Sequence, residues 1–314
     1  MIKVYDDLET YSWTPGMGEF MKRMNFKAAQ LGMSDSIFVN PYGGKAFGYN
    51  QTTCMDILKL GIHAYGNAYI MDVLSTKGIA DVHIYGEHER DVAIKWDLQA
   101  DFDYAYNMIH PGKANPHIVY AGKGGGWSTG ENRVFAYMAY CKVCGRNVLA
   151  VVANVSVGRT PGMQYRKNAI IELLDICSKA INGGSTDGLS VSYADYAAAA
   201  LLPENTPSVF FKNRDIMPIF SQGADVKFNP ASMTKVLMGM TAMDICANNF
   251  EMYKITDEDI CNDSDYWAFP GDIESIGSGM YVVLLSSNGS NTLAMARFCG
   301  EKILAEKRKY GISL

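Results

Sequence analysis

Ser232 and Lys235 form an S-x-x-K motif directly after Pro230, where the sequence predicts the start of a strongly apolar helix. Residues three apart on a helix share one face, so the lysine amine can reach the serine hydroxyl. If burial and neighbouring charge lower the pKa of that amine, it can take the serine proton and leave an alkoxide nucleophile. The helix N-terminus adds N–H groups and a favourable field beside the serine. Alone the motif is weak, because about one such pair is expected by chance in a chain of this length.

Two further short motifs could complete a site of this kind. Residues 286–288 read S-x-N between two predicted helices, and residues 123–125 read K-x-G on a predicted strand. A second serine and an asparagine can relay a proton and hold a substrate amide. A strand lysine supplies positive charge, and the glycines let a substrate backbone lie against the strand edge. Each motif is unspecific by itself, since a polar loop and a plain glycine loop have the same composition.

Together these motifs are typical of penicillin-binding proteins and serine β-lactamases. The chain resembles the low-molecular-weight penicillin-binding proteins, the D-alanyl-D-alanine carboxypeptidases, in longer blocks as well, which together cover about two-thirds of its length. The block at 229–244 is similar to the family's nucleophile helix, and the block at 271–300 to its S-x-N segment. The blocks at 20–44 and 51–60 are similar to its M-N…L-G-M segment and to the helix that follows.

The order of these blocks differs from that of the family. The family runs S-x-x-K, S-x-N, M-N…L-G-M and then K-T-G, whereas this chain begins with its M-N…L-G-M block. Moving residues 208–314 in front of residue 1 restores the family order, as expected of a circular permutation. Such a rearrangement is physically tolerable because the termini of a domain often lie close together at its surface.

The fold expected from the resemblance is α/β of the α+β kind, with a five-stranded antiparallel sheet flanked by helices and an all-helical lobe. The sequence itself predicts three consecutive antiparallel strands from His117 onward and an amphipathic helix over 168–181. We therefore expect a contiguous sheet domain over 117–230, containing a Gly/Ser/Ala-rich linker at about 182–207. Residues 1–116 and 231–314 would form the mostly helical lobe, with the active site between the two parts.

The resemblance implies a role for each motif residue. Ser232 would be the acylated nucleophile and Lys235 its general base. Ser286 would pass the proton to the leaving nitrogen, Asn288 would bind the substrate amide, and Lys123 would set the electrostatics of the cleft. The N–H groups of Ser232 and Gly126 would form the oxyanion hole. The substrate would bind along the strand at Gly124, Gly125 and Ser128.

Three departures from the family pattern affect what the site would do. Gly124 stands where K-T-G has a hydroxyl that contacts the substrate carboxylate, so Ser128 or Thr129 would substitute for it, or the substrate would lack that carboxylate. Gly289 stands where an Asp usually follows S-x-N. The E-x-x-L-N segment, which supplies the deacylating Glu of class A β-lactamases, is absent from the sequence, and this argues against efficient β-lactam hydrolysis.

Three functions therefore stay open at the sequence level. The first is a serine hydrolase that forms an acyl-enzyme at Ser232, as a D-Ala-D-Ala carboxypeptidase-like peptidase or a D-amino-acid amidase or esterase. The second is a β-lactamase or β-lactam-binding protein. The third is a non-catalytic binding protein that keeps the fold, although retention of the motif serines, lysine and asparagine argues against it. The expected ligands are small: a peptide, a D-amino-acid amide or a β-lactam.

Composition excludes several other classes. The 314 residues are 48% hydrophobic and 19% charged, which excludes intrinsic disorder. A net charge of −5 without a basic stripe argues against nucleic-acid binding, and no apolar run has a membrane-spanning length. The acidic N-terminal segment predicts no secretory signal and hence a cytoplasmic protein, unlike the exported enzymes it resembles. The seven scattered cysteines predict free thiols, with Cys141 and Cys144 buried, and we expect neither a metal nor a cofactor.

Overall fold

A computed structural model of the protein describes residues 14–44, 49–129, 132–155, 163–203, 216–261 and 268–311, with the backbone alone at 127–134 and 163–164 where these fall in strands or a helix. Its α-helices are α1 (Pro15–Gln30), α2 (Cys54–Tyr65), α3 (Ala68–Leu74), α4 (Leu98–Ile109), α5 (Met163–Ile181), α6 (Thr234–Ile245), α7 (Ile276–Tyr281) and α8 (Gly289–Lys309). Its strands are β1 (Gly78–Gly86), β2 (Arg90–Trp96), β3 (Ile118–Thr129), β4 (Asn132–Val143), β5 (Arg146–Val155), β6 (Ala194–Leu201), β7 (Phe220–Gln222), β8 (Met252–Lys254) and β9 (Asp272–Ser275).

The larger sheet has the order β3-β4-β5-β6-β7 and is antiparallel at every pairing. Its central strand β5 is buried on both faces, with Leu149 and Val151 on one side and Val148 and Ala150 on the other. Helices α4 and α5 cover the second of these faces, and α2 lies against the first. The predicted α+β class with a five-stranded antiparallel sheet is confirmed.

The prediction of a linker over 182–207 is wrong for residues 194–201, which form the interior strand β6. The run A-D-Y-A-A-A-A-L has little intrinsic strand propensity, because alanine is depleted in strands. Its small side chains nevertheless suit a strand buried on both faces, with Ala197 and Ala199 on one side and Ala198 and Ala200 on the other. Packing between the helix layers thus overrides local propensity.

A second antiparallel sheet, of order β2-β1-β9-β8, lies in the part of the chain predicted to be all-helical. That prediction is therefore wrong, because β1 and β2 lie within residues 78–96 and β8 and β9 within residues 252–275. The pairing joins distant segments, since Tyr85 of β1 faces Ile273 of β9. An ion pair at 2.8 Å between Arg90, the first residue of β2, and the buried Asp272 of β9 adds a second link between these segments.

Helices α1 and α8, the first and last elements of the described chain, pack closely against each other. A Cβ added at Gly300 of α8 would lie 1.7 Å from the carbonyl oxygen of Gly16 in α1, so glycine is required at this crossing. The Lys307 amine and a Glu19 carboxylate oxygen lie 2.5 Å apart. None of the helices within the described ranges is long and apolar enough to cross a bilayer.

Candidate active site

The S-x-x-K motif lies where a 3₁₀ turn, Ala231–Met233, leads into α6. Lys235 is buried, and its Nζ donates to the Ser232 Oγ at 3.0 Å, as the three-residue spacing predicts. The same Nζ donates to the carbonyl oxygen of Tyr42 at 2.8 Å. These two acceptors hold the amine beside the serine hydroxyl, at a distance where the lone pair of a neutral amine can accept the hydroxyl proton.

The backbone around Ser232 is held in a sparsely populated conformation. Ala231 has φ of 46°, a left-handed value that side-chain-bearing residues seldom adopt. Behind it, Gly43 has φ of +85°, and a Cβ there would lie 1.9 Å from the Ala231 carbonyl oxygen and 2.9 Å from the Ser232 nitrogen. The loop after α1 therefore packs directly against the turn that carries Ser232. This contact restrains the strained backbone of the turn.

Strand β3 closes the other side of the serine turn. A Cβ at Gly125 would lie 2.4 Å from the Pro230 carbonyl oxygen and 3.1 Å from the Ser232 nitrogen, so only glycine permits this approach. Lys123 of the same strand is 2% exposed. Burial lowers the pKa of Lys123 well below its usual range, and the charges of Lys235 and Arg166 lower it further.

Arg166 of α5 reaches across the sheet to the K-x-G segment. Its Nη1 donates to the Gly125 carbonyl oxygen at 2.9 Å and would lie 2.8 Å from a Cβ at Gly124. The guanidinium also lies over the rings of Phe135 and Tyr137, 5.8 Å from each ring centroid. The space in front of Gly124 is thus occupied by a cation.

These elements enclose a cleft of about 800 Å³. Ser232, Lys235, Ser286, Lys123, Gly124 and Gly126 all line it, so most of the predicted site residues meet at one cavity. Among the described residues, its wall includes five basic side chains and two carboxylates. Asp101, one of the carboxylates, is paired with Lys167. The charged lining residues are Lys95, Lys123, Arg166, Lys167, Lys235, Asp97 and Asp101.

The S-x-N segment borders the cleft through its first two residues. Ser286 ends a π-helical turn, Val282–Ser286, and its Oγ donates to the Val282 carbonyl oxygen at 2.5 Å. Asn288 is buried and caps α8, since its Oδ1 accepts from the Asn291 N–H at 2.9 Å. Within the described chain the Nδ2 of Asn288 has no partner, and its side chain is not part of the cleft wall.

The expected substrate contact of Ser128 falls on a side chain outside the described ones. Its backbone continues β3, where it pairs with Arg133 of β4. Sequence reasoning missed Arg166, because nothing in the local sequence indicates that a residue on the first turns of α5 approaches Gly124. It also missed the roles of Tyr42 and Gly43, although the glycine pair at 43–44 marks a tight turn.

None of the protein-family models, curated proteins or solved structures compared with the chain matches it. Among the described residues, no group of three or more His, Cys, Asp or Glu side chains is arranged to hold a metal ion. What this site can do is therefore argued from its own chemistry.

Proposed function

We propose that the protein is a serine hydrolase that forms an acyl-enzyme at Ser232. The observation that carries the proposal is the 3.0 Å contact between the buried Lys235 amine and the Ser232 hydroxyl, inside a cleft of about 800 Å³. A lysine with a purely structural role does not need an open cleft beside it. A nucleophile–base pair does, because the substrate has to reach the serine. Serine and lysine together can run acyl transfer without a histidine.

In the proposed reaction, neutral Lys235 takes the Ser232 proton as Oγ attacks the carbonyl carbon of a peptide, amide or ester. The resulting oxyanion is held by the N–H groups of Ser232 and Gly126, and one such donor contributes roughly 10²–10³ in rate. The C–N or C–O bond then breaks, and the leaving group takes the proton. Ser286 can pass that proton only if its hydrogen bond to the Val282 carbonyl is exchanged for one to the substrate. Water then releases the acyl group.

The substrate we propose is a small acyl compound of the D-amino-acid type that carries a carboxylate. The cleft wall carries more basic side chains than carboxylates, and its Arg166 stays charged whatever the protonation of Lys123 and Lys235, which favours an anionic ligand. Arg166 stands where the missing hydroxyl of the K-x-G motif would act, and a guanidinium binds a carboxylate through two parallel hydrogen bonds. Arg166 is therefore a third way to account for the hydroxyl missing at Gly124. The other two are a substitute hydroxyl and a substrate that lacks the carboxylate.

We also propose that the chain is a circularly permuted relative of the serine β-lactamase-like fold. In the family order the S-x-N helix is followed by the M-N helix. Here these helices are α8 and α1, and the glycine crossing at Gly16 and Gly300 packs them side by side. This neighbourhood supports a chain in which the two were once joined in sequence.

Intact-protein mass spectrometry after incubation with benzylpenicillin tests the function. We expect one covalent adduct on the wild type and none on Ser232→Ala, because the acyl bond forms only at the nucleophile. Ser221→Ala, on the exposed side of β7, is the matched control and should be acylated like the wild type.

The other outcomes separate the remaining functions. Rapid loss of the drug without an adduct would indicate a β-lactamase. If neither the drug nor a series of D-amino-acid esters and amides is consumed, and no adduct forms, a serine hydrolase is excluded and a binding protein remains. An adduct that persists on Ser232→Ala would place the nucleophile elsewhere.

A further inference from the structure

Two cysteines lie in contact at the far end of the nucleophile helix. The Sγ atoms of Cys246 and Cys299 are 3.7 Å apart, and both thiols are free. Cys246 is the first residue after α6 and is partly exposed, whereas Cys299 is buried in α8. A disulfide needs the sulfurs to approach to about 2.05 Å, which is a small closure from this contact.

The surroundings make Cys246 the more reactive of the two thiols. The hydrogen bond from Cys299 lowers the pKa of Cys246, and the nearby Lys302 ammonium lowers it further, against burial and the Glu251 carboxylate. The same contact raises the pKa of Cys299, as does its burial. Lys302 is held beside the pair by its ion pair with Glu251. This is the arrangement of an attacking thiol with a resolving thiol behind it.

The other five cysteines do not form such a pair. Cys54, Cys141 and Cys177 are buried, and burial raises the pKa of each thiol. Cys144 is exposed, contrary to the sequence prediction, but its Sγ contacts the Ser178 hydroxyl at 3.1 Å rather than a thiol. Cys261 contacts the Ser290 hydroxyl. The two C-x-x-C cysteines therefore differ in exposure. The contact between Cys246 and Cys299 is the thiol pair on which the proposal below rests.

We propose that Cys246 is a site of thiol–disulfide exchange and that Cys299 resolves it to an intramolecular disulfide. The Cys246 thiolate attacks one sulfur of a low-molecular-weight disulfide, forms a mixed disulfide and releases the first small thiolate. The Cys299 thiol then loses its proton, and its sulfur attacks the Cys246 sulfur and releases the second small thiolate. The two protein thiols are oxidised to one disulfide, and the small disulfide is reduced to two thiols.

The position of the bond gives it a structural consequence. It would join the end of α6 to the interior of α8, and these helices carry the S-x-x-K motif and the S-x-N segment at their other ends. Cys246 is extended in conformation, with φ of −83° and ψ of 135°, so the closing movement falls on a residue outside the helix. Oxidation would therefore cross-link α6 to α8 without breaking either helix.

The test incubates the reduced, folded protein with oxidised glutathione and then maps disulfides by peptide mass spectrometry. We expect a Cys246–Cys299 link in the wild type, a rise in the thermal midpoint on oxidation, and reversal of both by dithiothreitol. Cys299→Ser should accumulate a glutathione mixed disulfide at Cys246, because the resolving thiol is gone. Cys144→Ser is the matched control and should form the link like the wild type.

Three results would each overturn the proposal. One is that Cys246 and Cys299 are both still alkylated in full after the glutathione treatment of the wild type. The second is that the link forms only when the protein is unfolded, and the third is that glutathione adds to Cys144 while Cys246 stays unmodified. Neither readout depends on hydrolase activity, so the outcome is independent of the proposed function.

Discussion

At the scale of the residue, the proposed substrate class depends on Arg166. Its guanidinium lies against the backbone of β3, where it donates to the Gly125 carbonyl and fills the space in front of Gly124. The rings of Phe135 and Tyr137 flank it, and burial lowers the pKa of the guanidinium from its usual value, although an arginine remains charged at neutral pH. A positive charge in this position helps to lower the pKa of Lys123, and in the proposed reaction it would attract an anionic group of the substrate.

Removing that charge should therefore weaken one class of substrate selectively. For Arg166→Ala we expect KM to rise about 10- to 100-fold for an acyl-D-alanine ester whose leaving group carries a carboxylate, as the loss of a charged hydrogen bond implies. A matched ester with a neutral leaving group should keep its KM. Steady-state kinetics on both esters measures the ratio.

Two further variants decide what a change in KM would mean. Arg166→Lys should recover part of the loss, because charge is kept while the two-pronged geometry is not. Arg146→Ala, at the exposed start of β5, should leave both esters unaffected. Equal losses on the charged and the neutral ester would assign Arg166 a structural role in place of carboxylate recognition.

At the scale of elements, the site depends on how closely β3 approaches the turn before α6. The approach exists because Gly125 has no side chain, and a Cβ there would lie 2.4 Å from the Pro230 carbonyl oxygen. Backbone atoms cannot give way as a flexible side chain can. Adding one methyl group must therefore move the strand or the turn.

For Gly125→Ala we expect acylation of Ser232 to slow by about 100-fold, since displacements near 1 Å cost that much. Overpacking should also lower the free energy of unfolding by about 1–3 kcal/mol. Benzylpenicillin adduct formation over time and urea unfolding measure the two effects. Gly18→Ala, in α1 where an added Cβ meets nothing within 4 Å, is the control: it should keep the acylation rate and should not lower the free energy of unfolding, since alanine favours a helix over glycine. An unimpaired Gly125→Ala would mean that the close contact is irrelevant to the site.

A buried carboxyl links β9, β8 and the start of α8. Glu274 accepts from Asn291 at 2.5 Å and lies 3.4 Å from the Tyr253 hydroxyl. Burial raises the pKa of Glu274 to about 7, and the Asp272 charge adds to this, while Asn291, Tyr253 and Arg90 oppose it. The folded protein therefore binds this proton more tightly than the unfolded chain, whose Glu titrates near 4.5.

The sign of the pH effect follows. The stabilisation by the protonated carboxyl is complete below pH 4.5 and is lost as the pH rises through about 7. Between pH 4.5 and about pH 8, we expect the wild type to lose about 3 kcal/mol of unfolding free energy relative to Glu274→Gln, which cannot ionise. Urea unfolding of both proteins across this range measures the difference. Glu306→Gln, an exposed change on α8, should follow the wild type, and parallel curves for Glu274→Gln would refute the assignment.

At the scale of the whole molecule, the sequence predicts features that local spacing determines. The S-x-x-K contact follows from helical geometry, and the strands β3, β4 and β5 follow from alternation and turn residues. The strand β6 could not be predicted, because alanine has little strand propensity. Its small side chains suit this strand only because both of its faces are buried. The second sheet was missed because β8 and β9 are short and β9 pairs with β1 across a long stretch of chain. Arg166 was missed because its approach to Gly124 depends on how α5 crosses the sheet.

The packing of α1 against α8 provides the test of the permutation. The Lys307 amine lies 2.5 Å from a Glu19 carboxylate oxygen, so the first and last described helices are in direct contact. A short Gly/Ser linker from residue 314 to residue 1, with the chain opened between residues 207 and 208, gives the block order of the family. Because the packed elements and their contacts are the same, the re-ordered chain should fold to the same secondary structure.

We expect the re-ordered chain to keep the circular dichroism spectrum of the parent and to be acylated by benzylpenicillin at Ser232 at a similar rate. A version opened within β5, between residues 150 and 151, is the matched control and should not fold, because that strand is buried on both faces at the centre of the sheet. If the chain opened at 207/208 fails to fold while its linker is long enough to span the two ends, the proposed junction is wrong. If it folds but the serine is not acylated by a drug that acylates the parent, then the present order of the elements contributes to the site itself, and the permutation has a functional role.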